Sequence, residues 1–293
     1  MNKIPVSRTI AYAYSFTFGH LGTIIGLIWI PMVLATALGF FVMSGYLDSF
    51  SAALAQNNPT IAGQAALLLF AYIFVALLLY AMMYVAVTRQ ALGLRIGGAI
   101  AHFELGPAVW RMFGAMLGVF LILMLFYILV LGVGLGGLAA VGGMGNSPTA
   151  GGIALGLGLL VFAGVCALIY VAARMLFLLA PVVVVEERIG IARAWELTGG
   201  NFWRITLVWL ATLLPIILIT GIAEALILGP DTVTSSGSVV PTMAEQAARL
   251  HEMGAHLPAL SGLGFLLSPF LTGLMLGASA FAYRALVPAR GAV

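Results

Sequence analysis

The chain has 293 residues, of which 63% are apolar and 7% charged, with a formal net charge of +3. A soluble domain carries about 25% charged residues, so this chain cannot cover a water-facing surface and its solvent must be lipid. The positive excess is not a nucleic-acid footprint, because the arginines are spread over separate segments.

In chain order, apolar stretches predict six transmembrane helices at about residues 21–43, 65–88, 107–130, 152–174, 202–228 and 260–286. Each reaches the ~20 residues that cross the hydrocarbon as a helix. Backbone polar groups find no water there, and the period-2 pattern of a barrel is absent. The expected fold is therefore all-α: a polytopic membrane helix bundle forming a single integral domain over 1–293. The small-x-small sequence at Ala53-Leu54-Ala55 resembles a signal-peptide cleavage site. The apolar run before it exceeds the usual ~7–15 residues, so the first stretch is read as a retained span.

Cations set the orientation. The sequence holds one Lys and eleven Arg. With six spans in place, Lys3, Arg8, Arg89, Arg95, Arg111, Arg174, Arg188, Arg193, Arg204, Arg284 and Arg290 fall on one side, and Arg249 alone falls on the other. The positive-inside bias places that side, with both termini, in the cytoplasm of a bacterial cell with an inner membrane.

Lead-in segments precede spans one, three and five. Ile10, Ala11, Ala13, Tyr14 and Thr17 align with Ile191, Ala192, Ala194, Trp195 and Thr198, and Trp110-Arg111 aligns with Trp203-Arg204. These matches predict a three-unit pseudo-repeat of cytoplasmic interfacial helix plus hairpin. Residues 186–198 are the clearest interfacial helix, with Ile191, Ala192 and Trp195 on one side and Arg193 and Glu196 on the other. Gly199-Gly200 is expected to end it and Asn201 to cap span five. The Gly-rich residues 131–152 read as a mobile connection, and 241–256 as a short helix on the outer surface.

No residues are assigned to catalysis, cofactor or metal. The four histidines lack metal-ligand spacing, Cys166 has no Cys partner, and no nucleophile elbow or HExxH occurs. Two ionisable residues lie in apolar runs and are functional candidates: Arg174, at the end of span four, and Glu224, near the outer end of span five. Arg174 is expected to snorkel to headgroup level, or to pair with Glu186 or Glu187 if Pro181 turns the chain back. Trp195, Trp203 and Arg204 are candidate lipid contacts. Pro31, Pro215 and Pro269 interrupt spans one, five and six. Among six Gly-xxx-Gly pairs, 114/118 and 273/277 lie within spans and allow close helix contact.

The residues Arg174, Pro181, Glu186, Gly190, Ala194-Trp195-Glu196-Leu197-Thr198 and Asn201-Phe202-Trp203-Arg204 are similar to a motif of bacterial six-span proteins of the YciC-like type. They also resemble the membrane domain attached to some glycerophosphodiester phosphodiesterases. In those phosphodiesterases catalysis belongs to a separate soluble domain. The resemblance therefore implies an inner-membrane domain and transfers no catalytic residue. The resulting expectation is a non-enzymatic envelope protein that handles lipid or supports another membrane protein. Its expected partners are membrane lipids, another membrane protein or a second copy of itself, with no nucleic acid. The alternative is a small-solute transporter or channel, motivated by Arg174, Glu224 and the prolines.

Cysteine labelling in intact cells tests the orientation. An impermeant thiol reagent should modify Ser238→Cys and spare Ser7→Cys; modification of the second would reverse the topology.

Overall fold

The computed structural model describes residues 3–56, 58–95, 103–142, 148–228 and 243–287. Every regular element among them is a helix: α1 (Val6–Gly19), α2 (Leu21–Gln56), α3 (Pro59–Ala91), α4 (Pro107–Gly142), α5 (Pro148–Leu176), α6 (Leu179–Glu186), α7 (Ile191–Leu197), α8 (Phe202–Leu228) and α9 (Met243–Leu286). Six stretches are long and apolar enough to span a bilayer, and the chain is a multi-pass membrane protein. The long helices lie in a ring in chain order, with α9 closing against α2.

The spans run past the expected lengths. Residues 131–152 are largely helical, since α4 continues to Gly142 and α5 begins at Pro148. Glycine weakens a helix in water, but in lipid the backbone has no competing partner. Residues 143–147 lie outside the described residues. Residues 241–256 do not form a separate surface helix either: from Met243 they are the first turns of α9, which has 44 residues. Residues 229–242 fall outside the description.

The described cations gather at one end of the bundle, except Arg249, which lies in the opposite end of α9. The core gathers at the arginine-bearing end too. Buried residues of α4 stop at Val119 and those of α8 at Thr212, while the outer halves of both helices are exposed. Exposed leucine costs nothing against lipid, so these halves need no protein cover.

α5 does not continue straight into α6. Phe177 and Leu178 form a turn, and α6 runs into the middle of the arginine end, with Leu179, Ala180, Pro181, Val182 and Val183 all buried. It packs against α3, α4 and α9. The apolar residues 177–183 are thus core. Pro181 makes the break possible. It has no N–H, so the carbonyl four residues earlier, at Phe177, loses its ladder donor. The Ser279 hydroxyl of α9 donates to that carbonyl instead. Pro215 in α8 deprives the Ala211 carbonyl in the same way, and there Tyr14 of α1 donates its hydroxyl at 2.9 Å. Tyr12 donates to the Ala91 carbonyl at the end of α3, also at 2.9 Å.

The pseudo-repeat has a structural counterpart. Ala13 and Ala194 are both fully buried, as are Thr17 and Thr198. Each threonine hydroxyl donates to the carbonyl of its alanine at 2.8 Å. α1 rests on α9, and α7 rests on α5, so each lead-in helix lies against the second span of another hairpin. The Gly-xxx-Gly pairs make room for these contacts. A Cβ at Gly273 would stand 2.8 Å from Thr17 Cγ2, and one at Gly277 2.9 Å from Phe16 Cδ1. On α4, a Cβ at Gly118 would stand 2.8 Å from Ile191 Cδ1. The lead-in before α4 falls partly on residues 96–102, outside the described residues.

The interfacial helix expected over 186–198 is shorter, Ile191–Leu197, because Glu187 adopts a left-handed conformation (φ 52°) and turns the chain. Gly200 is left-handed as expected, with φ 70°.

Ser279→Ala should lower stability by about 1–3 kcal/mol by orphaning a buried carbonyl. In a Pro181→Ala background the loss should shrink, because residue 181 then has an N–H to offer Phe177. Thermal unfolding in one detergent across this double-mutant cycle measures both; equal losses in the two backgrounds would reject the account.

Candidate functional site

Four segments converge beside α6 at the arginine end and enclose a pocket of about 1000 Å³. The end of α3 brings Leu92, α6 brings Val185 and Glu186, α7 brings Arg193 and Leu197, and α9 brings Tyr283, Arg284 and Leu286. Arg188 reaches in from the turn between α6 and α7. The turn is tight: a Cβ at Gly190 would run into the buried Val182 side chain, so glycine eases the fold-back onto α6.

Glu186 organises the polar wall. Its Oε2 accepts from Arg188 Nη2 at 2.6 Å and Nε at 3.0 Å. Its Oε1 accepts from Arg193 Nε at 3.4 Å and from the Tyr283 hydroxyl at 3.3 Å. Arg193 also donates to Glu196 at 3.3 Å. That bond, with help from Glu186, raises the Arg193 pKa above its usual value, so the guanidinium is a permanent cation. The Glu186 side chain is 19% exposed against 57% for Arg188, so the acid is sheltered and one of its bases faces outward. Arg284 is exposed and has no ion pair among the described residues. Among the described residues the lining therefore presents three guanidinium groups against one carboxylate, over apolar walls. Partly exposed ion pairs of this kind add only ~0–1 kcal/mol each. Their value is in orienting planar donors for an anion.

No known protein family, curated protein or solved structure matches the chain.

The residues singled out from sequence lie outside this pocket. Arg174 pairs with neither Glu186 nor Glu187. Its guanidinium carbon stacks over the Trp195 ring, 3.8 Å from the centroid, and Nη2 donates to the Trp195 carbonyl at 2.6 Å. Nη1 donates to the Tyr170 hydroxyl at 2.8 Å, and Nε to Thr198 Oγ1 at 3.4 Å. The physical reason is α7. Its C-terminal carbonyls need donors, and a cation there is favoured by the helix dipole. Glu187 instead faces Arg111 at 3.6 Å.

Asn201 precedes α8 as expected, but its Oδ1 accepts from the Ile4 N–H at 3.2 Å. Arg204 donates to the Ile4 carbonyl at 2.8 Å, so two residues of the α8 start hold the N-terminal strand of chain. Trp203 is 75% exposed. Glu224 is exposed on α8, far from the pocket along the helix. No group of three or more His, Cys, Asp or Glu residues able to hold a metal occurs among the described residues. The sequence reading treated Arg188, Arg193 and Arg284 as orientation signals only. The signal for a buried segment here was the eleven-residue apolar run 175–185 that leads into Glu186-Glu187-Arg188.

Arg174→Lys should destabilise the protein by about 1–2 kcal/mol, because an ammonium cannot stack flat on Trp195 while donating to acceptors in the guanidinium plane. Unfolding midpoints in detergent check this. A Lys variant as stable as the parent would return Arg174 to simple snorkelling.

Proposed function

We propose that this is a non-enzymatic inner-membrane protein, with its arginine end and both termini cytoplasmic, that holds anionic lipid at the arginine-lined pocket. The role follows as an envelope protein that handles lipid or supports another membrane protein. The carrying observation is the pocket itself: apolar walls at the end of the spans, with three guanidinium groups at the rim and one carboxylate among them. Cations at the end of a span are where anionic headgroups lie, and each contributes about 1 kcal/mol there. The planar, bidentate geometry of arginine suits a phosphate.

The features that motivated transport are otherwise engaged. Arg174 is committed to Trp195, Tyr170 and Thr198. Glu224 is exposed on the outer half of α8. Among the described residues the buried polar side chains are threonines, Asn201 and Ser279, with no buried charge. Kinship with the YciC-like proteins, on the motif residues from Arg174 to Arg204, is part of the same proposal.

Native mass spectrometry from mixed phosphatidylglycerol and phosphatidylethanolamine micelles tests it. Phosphatidylglycerol should be retained preferentially. Arg284→Ala and Arg193→Ala should each weaken retention about fivefold, the loss of about 1 kcal/mol per cation. Equal retention of both lipids by the parent protein would sink the proposal.

A further inference from the structure

A second cavity, of about 500 Å³, lies among α2, α3, α8 and α9, toward the opposite end of the bundle from the arginine pocket. Its position follows from the helices: it meets α3 at Tyr72, Tyr80 and Tyr84, whereas the arginine pocket meets α3 at Leu92. Prolines border it on three sides. Pro31, Pro215 and Pro269 lie in α2, α8 and α9, each beside lining residues, and each interrupts a ladder that would otherwise pull neighbouring turns together.

Among the described residues the walls carry no charged side chain. They carry methionine and aromatic side chains, together with hydroxyls. Those of Tyr80, Tyr84, Ser268 and Thr272 have no hydrogen-bond partner among the described residues. The cavity also has a way out. A groove of about 370 Å³ between α2 and α9 shares Thr36, Phe40, Ser261 and Phe265 with it. The outer lip of that groove is formed by Val33, 43% exposed, and Phe41, 70% exposed, both on the lipid-facing side of α2. The opening therefore leads sideways into the bilayer.

We propose that this cavity takes one acyl chain of a membrane lipid together with its ester carbonyl, entering laterally between α2 and α9. Each part of the ligand answers a feature of the site. Flexible methionines accommodate a chain of variable shape. Unpartnered hydroxyls in a low-dielectric wall favour an acceptor such as an ester carbonyl. The absence of charge in the lining disfavours an ion, a carboxylate or a phosphate. The volume suits one chain and falls in the ~300–1000 Å³ range of small-molecule sites. The site is separate from the arginine pocket, so neither proposal depends on the other.

Photolabelling in nanodiscs tests it, with a phosphatidylcholine tracer carrying a diazirine in the middle of one acyl chain. The parent protein should be labelled on cavity residues such as Met43, Met83 and Met275, as well as on the lipid-facing surface. Gly264 lines the cavity and Gly262 the groove, and a Cβ at either meets nothing within 4 Å. Gly264→Leu and Gly262→Leu add side-chain volume where a Cβ meets no neighbour, and each should cut cavity labelling at least about fivefold while surface labelling stays unchanged. Tyr84→Phe should lower it about fivefold, the loss of one hydrogen bond of about 1 kcal/mol. Cavity residues unlabelled in the parent, or labelled equally in the Gly262→Leu and Gly264→Leu variants, would overturn the proposal.

Discussion

The structure depends on one constraint: inside a bilayer every backbone carbonyl that leaves its helical ladder must find another donor. Prolines and helix ends create such carbonyls, and side chains of neighbouring helices answer four of them here. Ser279 serves Phe177, freed by Pro181. Tyr14 serves Ala211, freed by Pro215, and Tyr12 serves Ala91 at the end of α3. Arg174 serves Trp195 at the end of α7. These contacts are directional where apolar packing is not, so they fix which helix lies beside which. Thr88 departs from the pattern, with a buried Oγ1 that has no partner among the described residues.

The same constraint shapes the sites. Breaking α5 from α6 lets an apolar helix fill the centre of the arginine end and carries Glu186 to the pocket wall. At the other end, the prolines of α2, α8 and α9 keep turns apart and leave a neutral cavity. One end of the bundle presents fixed positive charge to a polar boundary. The other presents uncharged hydroxyls to a chain. An amphipathic ligand meets both kinds of surface in a bilayer, and that pairing of chemistries favours lipid over a dissolved ion.

Much of this was legible in the sequence, for physical reasons. The six apolar runs and the segregation of arginine are one-dimensional signals, because a bilayer imposes one-dimensional order on its proteins. The alignment of Ile10–Thr17 residues with Ile191–Thr198 residues was legible too, since buried Ala and hydroxyl-bearing Thr recur in both copies. What failed were inferences that needed a partner. Arg174 pairs with neither carboxylate expected for it, because the sequence gives no hint that α7 would deliver its open C-terminus there. Residues 131–152 looked like a loop because glycine breaks helices in water, and lipid removes the competitor that makes it do so. Neither pocket could be assembled from the sequence, as each joins helices distant in the chain as well as neighbouring ones.

The bond from Tyr14 to Ala211 joins residues 197 positions apart. The Ile4 backbone is likewise tied to Asn201 and Arg204, across 197 and 200 positions. A ribosome adds about 5–20 residues per second, so roughly 10–40 s separate the synthesis of α1 from that of the partners that lock it. During that interval α1 can already meet α3, through Tyr12 and the Ala91 carbonyl 79 positions away. Its contacts with α8 and α9 can form only once those helices have been made.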